Sequence, residues 1–416
     1  MAVMAGEHER REVLPPPVER YTVLGWLYKN LFSSWYNILL TGLSLGIIYI
    51  VLKPTLVWAF TKARWVSVAL NMANLFVGVY PREELWRVWW AVYVLVALIG
   101  LSWGAHFRNH WRGVVFFSAL ALLGALPIEL SVMDMQRESL LYLPLPAEFL
   151  PVGLVGAIAI AVGRFGAQHV RALVNYGWIL YVPVVLLLIR GISPEHALLP
   201  LVRTSEWGGL MLNIIVSSTA LVLGLPIGIA LALGRRSQLP VMRTLCITFI
   251  EWIRGAPLIM WLFTAQVMLP LFLPPEIRVD KLIRAQVAVT MFAAAYSAEI
   301  VRGGLQAIPA GQYEAADALA LTKAQSVRHI VLPQALRTVI PVFTNEAIGL
   351  SKDTSLLKIV GMHEMLSMAT LVMSNPDFLG TQRELLFFAG VIFWIVTYAI
   401  SYSGRRVERA QGLGRR

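Results

Sequence analysis

The chain has 416 residues, of which 57% are hydrophobic and only 14% are charged, and its mean hydropathy is +0.67. This composition excludes an ordinary soluble domain and is typical of a polytopic membrane protein. A single cysteine, Cys246, excludes an internal disulfide framework and a cysteine-rich metal site. The net charge of +11 lies in short basic clusters beside apolar runs, as in cytoplasmic loops, and no basic–aromatic motif for nucleic acid is present.

Apolar runs suited to crossing a bilayer recur along the whole chain. A spanning helix needs about 20 apolar residues, and the runs of roughly this length, together with shorter buried ones, predict an all-α polytopic membrane protein with about ten transmembrane helices. The runs fall at about residues 37–60, 88–104, 113–127, 149–163, 173–190, 210–233, 256–273, 284–301, 335–351 and 384–403. Residues 65–80 are apolar but contain Asn71 and Asn74, so we interpret them as interfacial rather than spanning.

The distribution of basic residues predicts the orientation of these spans. With the N-terminus inside, most arginines next to the spans lie in the cytoplasm, including Arg235 and Arg236, whereas Arg82 and Arg278 are exceptions. The charged, proline-rich first 35 residues lack the apolar region of a cleaved signal peptide. We therefore expect a multi-pass protein of the inner (cytoplasmic) membrane with both termini in the cytoplasm.

One polar stretch, residues 311–333, interrupts the apolar C-terminal half. Alanines beside Glu314 and Asp317 favour a short helix. Thr322 with Gln325 predicts a capping box that opens a second short helix, and Pro333 is predicted to close it. The stretch therefore predicts two short helices that form a corner on the cytoplasmic side.

This stretch resembles the EAA loop of ABC-importer permeases, through Glu314-Ala315-Ala316 and the later Ile330, Leu332 and Pro333. The resemblance implies a coupling helix that docks in a groove of a cytoplasmic ATPase. The family usually has glycine where this chain has Ala320, and since glycine permits a left-handed corner, we expect the turn to be made in another way. The residues expected to couple to the ATPase are Gln312, Tyr313, Glu314, Ala315, Ala316, Asp317, Ala320, Leu332 and Pro333.

The C-terminal half resembles the five-helix core of the polar amino-acid permease family, which is a type I ABC importer core. The resemblance is carried by residues 208–210, 225–228, 231–237, 251–262, 295–304 and 344–356. It predicts a division into a cytoplasmic tail (1–35), extra transmembrane helices (36–205), the permease core (206–405) and a second cytoplasmic tail (406–416). A Pro-, Gly- and charge-containing seam near 191–209 separates the two halves.

The long N-terminal half makes the chain similar to the larger membrane subunit of a broad-range L-amino-acid importer. The resemblance implies four further components: a homologous second permease, a dimer of ATP-binding cassette subunits, an extracytoplasmic amino-acid-binding protein and the amino-acid substrate. Membrane lipid surrounds such a protein, and no nucleic-acid partner is expected. ATP and Mg²⁺ are expected on the ATPase and no cofactor on this chain.

Ionisable and polar residues inside the predicted spans are candidates for the substrate pathway, because charges within a membrane are costly. Glu299 either forms an i,i+3 pair with Arg302 or meets the ammonium or cationic side chain of an amino acid. Asn345 and Glu346 lie in a span weakened by Pro341, and Glu346 either lines a cavity or contacts the partner permease. Thr354, at the end of this span, is the fourth candidate.

No G-x-x-x-x-G-K-[ST] phosphate loop occurs in the sequence, which predicts that ATP is hydrolysed on another chain. We expect no catalytic residue and no metal site: a G-x-S-x-G pattern at 42–46 lies within an apolar span, and His106 and His110 are interleaved with arginines. The chain is therefore predicted to be a transport subunit working by alternating access. The alternative is an ion-coupled secondary transporter without an ATPase, which would use Glu299 and Glu346.

Overall fold

The computed structural model describes residues 22–106, 110–126, 129–134, 139–144, 148–192 and 199–412. Residues 1–21 of the predicted N-terminal tail and 413–416 of the C-terminal tail lie outside the described residues. The described chain is almost wholly helical, which confirms the predicted all-α class. One antiparallel hairpin is added to it, formed by β1 (Glu129–Asp134) and β2 (Ser139–Pro144).

The helices fall into an N-terminal and a C-terminal set. The N-terminal set is α1 (Val23–Leu31), α2 (Trp35–Thr61), α3 (Val66–Leu70), α4 (Met72–Val77), α5 (Leu85–His106), α6 (Trp111–Ala125), α7 (Phe149–Phe165) and α8 (Ala167–Arg190). The C-terminal set is α9 (Gly209–Arg235), α10 (Pro240–Arg254), α11 (Leu258–Phe263), α12 (Leu269–Phe272), α13 (Lys281–Gln306), α14 (Ala310–Ala318), α15 (Lys323–Ser326), α16 (Leu332–Asp353), α17 (Met365–Met373) and α18 (Gln382–Ala410).

Eight of the ten predicted apolar runs fall within one of these helices. The run at 113–127 extends beyond the end of α6, and the run at 256–273 is divided between α11, a π-helical turn and α12. In the described chain, five helices are long and apolar enough to cross a membrane, namely α2, α5, α8, α9 and α18. Helix α10 and the segment Leu258–Phe272 add a sixth candidate, bent by 100°. Helices α13 and α16 are long but carry charged residues, and α6 and α7 are shorter.

Within the described residues, 22–63 belong to a unit of their own. Within it, the Thr22 hydroxyl caps α1 by accepting a hydrogen bond from the Gly25 amide at 3.1 Å. Helix α2 is apolar around its whole circumference and buries none of its residues in this unit. A helix of this kind is suited to contact with lipid tails on all sides.

In the second unit, residues 64–416, helices α9 and α13 pack closely through small residues. A Cβ added at Gly228 of α9 would lie 2.6 Å from the Ser297 Cβ of α13, and one at Gly224 would lie 3.0 Å from the Ala293 Cβ. Small residues allow helix backbones to approach one another, which is how helices associate in a membrane. This pair forms the centre of the C-terminal half.

The first part of this unit uses the same device between α5 and α7. Gly100 of α5 packs on Gly156 and Ala159, and a Cβ at Gly100 would lie 2.7 Å from the Ala159 Cβ. Gly104, one turn further along, packs on the backbone of α7 near Ile160. The two glycines form a small-x-x-x-small pattern that brings α5 and α7 together.

Residues 65–80 contain two short helices rather than a spanning one, and their position at a membrane interface stays a prediction. They form α3 and α4, and Leu75 and Val77 are buried against α9 and α17. The chain then crosses the start of α9, where Gly78 and Gly209 have φ angles of 69° and 57°. A Cβ at Gly78 would lie 2.5 Å from the Gly208 Cα, so the close crossing of the two backbones requires glycine. Asn71 and Asn74 are satisfied because their side-chain amides donate locally.

The composition seam is folded against the helices around it. The amide of Val202 donates to the Arg190 carbonyl at 2.7 Å, and the hydroxyl of Tyr80 donates to the Ile189 carbonyl at 2.8 Å. The fully buried Arg87 pairs with Glu84 and donates to the Pro200 carbonyl at 2.8 Å. These bonds join the N-terminal helices to the start of the C-terminal half.

Candidate functional site

The polar stretch at 311–333 forms a helical corner that follows α13. Helix α14 ends at Ala318, and the amides of Leu321 and Ala320 turn back to the carbonyls of Ala316 and Asp317, at 3.1 and 2.9 Å. These two bonds and a left-handed residue after the helix end define a Schellman motif. The left-handed residue is Ala320, with a φ of 53°.

The expectation that Ala320 would force a different turn is therefore wrong. Alanine occupies the left-handed conformation that glycine adopts more readily, and Ala320 is the one non-glycine residue of the described chain with a positive φ. The conformation costs about 1 kcal/mol or more for an L-residue. It is maintained here because both Schellman hydrogen bonds depend on it.

The predicted capping box after the corner is confirmed. The Gln325 amide donates to the Thr322 hydroxyl at 3.4 Å, and the Gln325 side chain accepts from the Thr322 amide at 2.9 Å. The predicted stop at Pro333 is wrong, because the chain continues through a π-helical turn (Val327–Val331) into α16. Pro333 lies in the first turn of α16, where a helix tolerates the missing amide hydrogen.

The corner is attached to the helices beneath it by both apolar and polar contacts. Ala316 is fully buried, and Tyr313 packs against a cluster that includes Leu305 of α13 and Val331. The Arg236 guanidinium lies 5.9 Å from the Tyr313 ring centre and donates to its hydroxyl at 3.3 Å. These contacts connect the corner to residues of α9, α13 and α16.

The outward face of the corner is exposed, and Gln312 at its edge accepts a hydrogen bond from the Gln334 side chain of α16 at 2.9 Å. Its exposed members are polar or small side chains together with one leucine, Leu319, which is 72% exposed. The exposed positions are Gln312, Glu314, Ala315, Asp317, Ala318, Leu319 and Ala320. Of the remaining predicted residues, Leu332 packs beneath the corner and Pro333 is exposed at the start of α16.

A cluster of arginines surrounds Glu299 near the end of α13 that precedes the corner. Its carboxylate accepts from Arg235 at 2.6 Å and from Arg302 at 2.7 and 2.9 Å, and Arg254 lies 3.8 Å away. The predicted pairing of Glu299 with Arg302 is present, and the two additional arginines come from the ends of α9 and α10. Arg235 also forms an ion pair with Glu251 of α10, at 3.1 Å.

A cavity of about 580 Å³ lies beside this cluster, between α13 and α16. Glu299 and Glu346 both line it, with Arg254, Tyr296 and Thr338 as further polar members. Glu346 has no ion-pair partner among the described residues, unlike Glu299. The structure therefore brings two of the predicted pathway residues to one cavity.

The other two predicted pathway residues lie outside this cavity. Asn345 is exposed on α16. Thr354 is 1% exposed, accepts from the Asn213 side chain at 3.0 Å and donates to the Ser351 carbonyl at 2.7 Å. Asn213 also reaches the buried Glu364, so Thr354 belongs to a polar network that joins α9 to the start of α17. The pathway roles assigned to Asn345 and Thr354 stay predictions.

Sequence reasoning overlooked Arg235 as a partner of Glu299, because the two residues are far apart in the chain. A signal was present, since Gly224 and Gly228 share one face of α9 and predict a close helix contact. The inner end of that face carries Arg235. No group of three or more potential metal ligands occurs in the part of the chain that the structure describes.

Residues 224–411 match the family model of the binding-protein-dependent transport system inner membrane component. The chain is 34% identical over 407 residues to the inner membrane amino-acid ABC transporter permease protein YhdY of Escherichia coli K12, covering 94% of this chain and 93% of the relative. It is also 34% identical to the glutamate/glutamine/aspartate/asparagine transport system permease protein BztC of Rhodobacter capsulatus, covering 96% and 97%. The glutamate/aspartate import permease protein GltK of Escherichia coli O6:H1 is 33% identical, covering 48% of this chain and 91% of the relative.

The corner, the charged cavity and the apolar helices are thus features of a membrane-embedded transport subunit. The chain belongs to the family of amino-acid ABC transporter permeases, in agreement with the resemblance carried by the EAA-like stretch. It is a multi-pass inner membrane protein and a transport subunit. The alternative of an ion-coupled secondary transporter is set aside, because the relatives that cover nearly its whole length are ABC transporter permeases.

Proposed function

We propose that this chain forms the translocation pathway of an ATP-driven amino-acid importer and couples it to a separate ATPase through the α14 corner. The observation that carries the proposal is the attachment of the corner: Tyr313 packs against side chains of α9, α13 and α16 and Ala316 is buried, while Glu314 and Asp317 are exposed. A partner that grips the outward face would move the helices beneath as one body.

The motor would be supplied by other chains. The sequence contains no phosphate loop, so ATP and Mg²⁺ would bind to a dimer of ATPase subunits. A second, homologous permease and an extracytoplasmic binding protein would complete the importer, as the resemblance implies. Closure of the ATPase dimer would displace the corner and open the cavity outward, and the differing affinities of substrate and nucleotide for the two states would drive the cycle.

The cavity between α13 and α16 is our candidate for the substrate site. Its substrates would be polar amino acids, as the names of the relatives suggest. Glu299 is already bound by arginines, which leaves Glu346 as the carboxylate that can meet a substrate ammonium group. Arg254, at 3.8 Å from Glu299, is the cation that can meet the substrate carboxylate.

Reconstitution of the complete transporter in proteoliposomes tests the coupling role. Because Glu314 is exposed, we expect Glu314→Arg to leave the fold intact. The substitution reverses the charge that this position presents to the ATPase groove. We expect substrate-dependent uptake to fall by about tenfold or more, as for a lost charge-assisted contact, while the transporter remains assembled.

Glu276→Arg is the matched control, since Glu276 is also exposed but precedes the opposite end of α13. This variant should transport normally. Normal ATP-dependent uptake by the Glu314→Arg transporter, or failure of the chain to copurify with any ATPase from native membranes, would contradict the proposal.

A further inference from the structure

A second cavity, of about 490 Å³, lies at the end of the helix bundle opposite the α14 corner. It is enclosed by the end of α8, the seam residues 201–207 and the first halves of α9 and α13. Its position is separate from the first cavity, which lies beside the last turns of α13. Nothing in the coupling or transport scheme above uses it.

Two buried polar groups in its wall lack a partner. The indole N–H of Trp207 and the hydroxyl of Thr219 have no hydrogen-bond partner within the described residues, although the side chains of these residues line the cavity and are only 3% and 6% exposed. A buried polar group without a partner costs free energy. A ligand that carries hydrogen-bonding oxygens would satisfy both groups.

The rim of the cavity is positively charged. Arg190 and Arg203 both line it, and the Val202 amide donates to the Arg190 carbonyl at 2.7 Å, so the two arginines come from neighbouring backbone segments. One carboxylate, that of Asp280, is also present. It accepts from the amide of Leu282 at 2.8 Å and from the Thr204 hydroxyl, and among the described residues it forms no ion pair with either arginine. The lining therefore keeps a net positive charge and two arginines that can bind an anion.

The depth and the opening of the cavity indicate an amphiphilic ligand. Thr219 lies ten residues after the start of α9, about 15 Å along the helix, which is about half the thickness of a hydrocarbon core. The walls between rim and floor are mainly aliphatic. Ile283 and Val287 of α13 line the cavity and are 51% and 52% exposed, so the α13 side of the opening presents apolar side chains while the arginines lie on its other side.

We propose that this cavity binds one anionic phospholipid. Its phosphate lies at Arg190 and Arg203, its ester oxygens are within reach of the Trp207 indole, and an acyl chain follows the aliphatic wall. A free amino acid would match the rim but not the apolar depth, and a diacylglycerol would match the depth but not the rim. The lipid would fasten the N-terminal helices to the permease core at their seam.

Native mass spectrometry of the full-length chain in its complex, after detergent exchange, tests the proposal. Phosphatidylglycerol, diacylglycerol and glycerol 3-phosphate are titrated separately. We expect phosphatidylglycerol to bind at one site, with an affinity that falls about fivefold for each arginine removed, and therefore about 25-fold in the Arg190→Gln/Arg203→Gln variant. Trp207→Phe keeps the ring but removes the N–H, and should weaken binding about fivefold.

The control variant is Arg278→Gln/Lys281→Gln, which removes the same charge near the same end of α13 from residues that do not line the cavity. It should bind phosphatidylglycerol as the wild type does. If both double variants lost the same affinity for phosphatidylglycerol, binding would depend only on the overall charge of this end of the protein. That result would overturn the proposed site. If glycerol 3-phosphate bound as tightly as phosphatidylglycerol, the acyl chain would contribute nothing. The cavity would then be a simple anion site, and the lipid proposal would be overturned.

A photo-crosslinking amino acid at Ile283 gives an independent result in native membranes. An adduct with the mass of a phospholipid supports the proposal. An adduct with a second protein chain in place of the lipid would show that a partner subunit covers the opening, and would overturn it.

Discussion

At the scale of single residues, Ala320 has the most unusual backbone conformation in the α14 corner. Its φ of 53° places an L-residue in the left-handed region, while the Schellman hydrogen bonds at the end of α14 hold it there. Ala320→Gly should relieve this strain. Because glycine also loses more entropy on folding, we expect a net stabilisation of about 0.5–1 kcal/mol.

Thermal unfolding of the purified transporter measures this change as a rise in apparent Tm. Ala315→Gly is the matched control, since Ala315 is exposed on the same helix but has helical geometry. That substitution should lower stability by about 1 kcal/mol. Two variants with the same loss of stability would contradict the strain assigned to Ala320.

Glu299 and Glu346 line one cavity but have different surroundings, so their substitution should have different effects. Glu299→Gln removes the carboxylate that joins arginines of α9, α10 and α13, and we expect it to lower stability by about 1–2 kcal/mol, discounted for partial exposure. Glu346→Gln should leave stability nearly unchanged and raise the KM for uptake by about tenfold. Thermal unfolding measures the effect of Glu299→Gln, and uptake assays measure that of Glu346→Gln. Unchanged uptake by Glu346→Gln would show that Glu346 is not part of the substrate pathway.

At the scale of helices, the sequence predicted what depends on local pattern and missed what depends on distant contacts. Apolar length located the long helices, and the Thr322–Gln325 spacing located a capping box. The π-helical turn before Pro333 was not predictable, because it depends on how α16 continues from α15 under tertiary packing. The burial of Leu75 and Val77 was not predictable either, because it depends on the packing of α4 against α9 and α17, which are distant in the chain.

The candidate site shows the same division. The EAA-like residues were recognisable because they are adjacent in the chain, and Glu299 and Glu346 because charges are rare within apolar runs. The grouping of Arg235, Arg254 and Arg302 around one carboxylate requires three helix ends to meet. The glycines of α9 pack against small residues of α13 and so bring the ends of these two helices close together. Which turns face each other is visible only in the folded structure.

At the scale of the whole molecule, α13 separates two regions with different predicted partners. It spans 26 residues, or about 39 Å, with the phospholipid cavity at its start and the coupling corner after its end. Coupling to a cytoplasmic ATPase requires the corner to face the cytoplasm, and a helix of this length then places the residues before α13 on the outside. The orientation of the termini, both predicted to be cytoplasmic, depends on the same arrangement.

Cysteine labelling measures this orientation directly. In a Cys246→Ser background, which removes the single buried cysteine, Leu319→Cys presents a thiol at a position that is 72% exposed on the corner. We expect a membrane-impermeant maleimide to label it only after permeabilisation. Glu276→Cys, at an exposed position before α13, should be labelled in intact spheroplasts. The reverse pattern would place the corner outside the cell, where no ATPase could reach it, and the coupling function would have to be abandoned while the helix packing described above would stand.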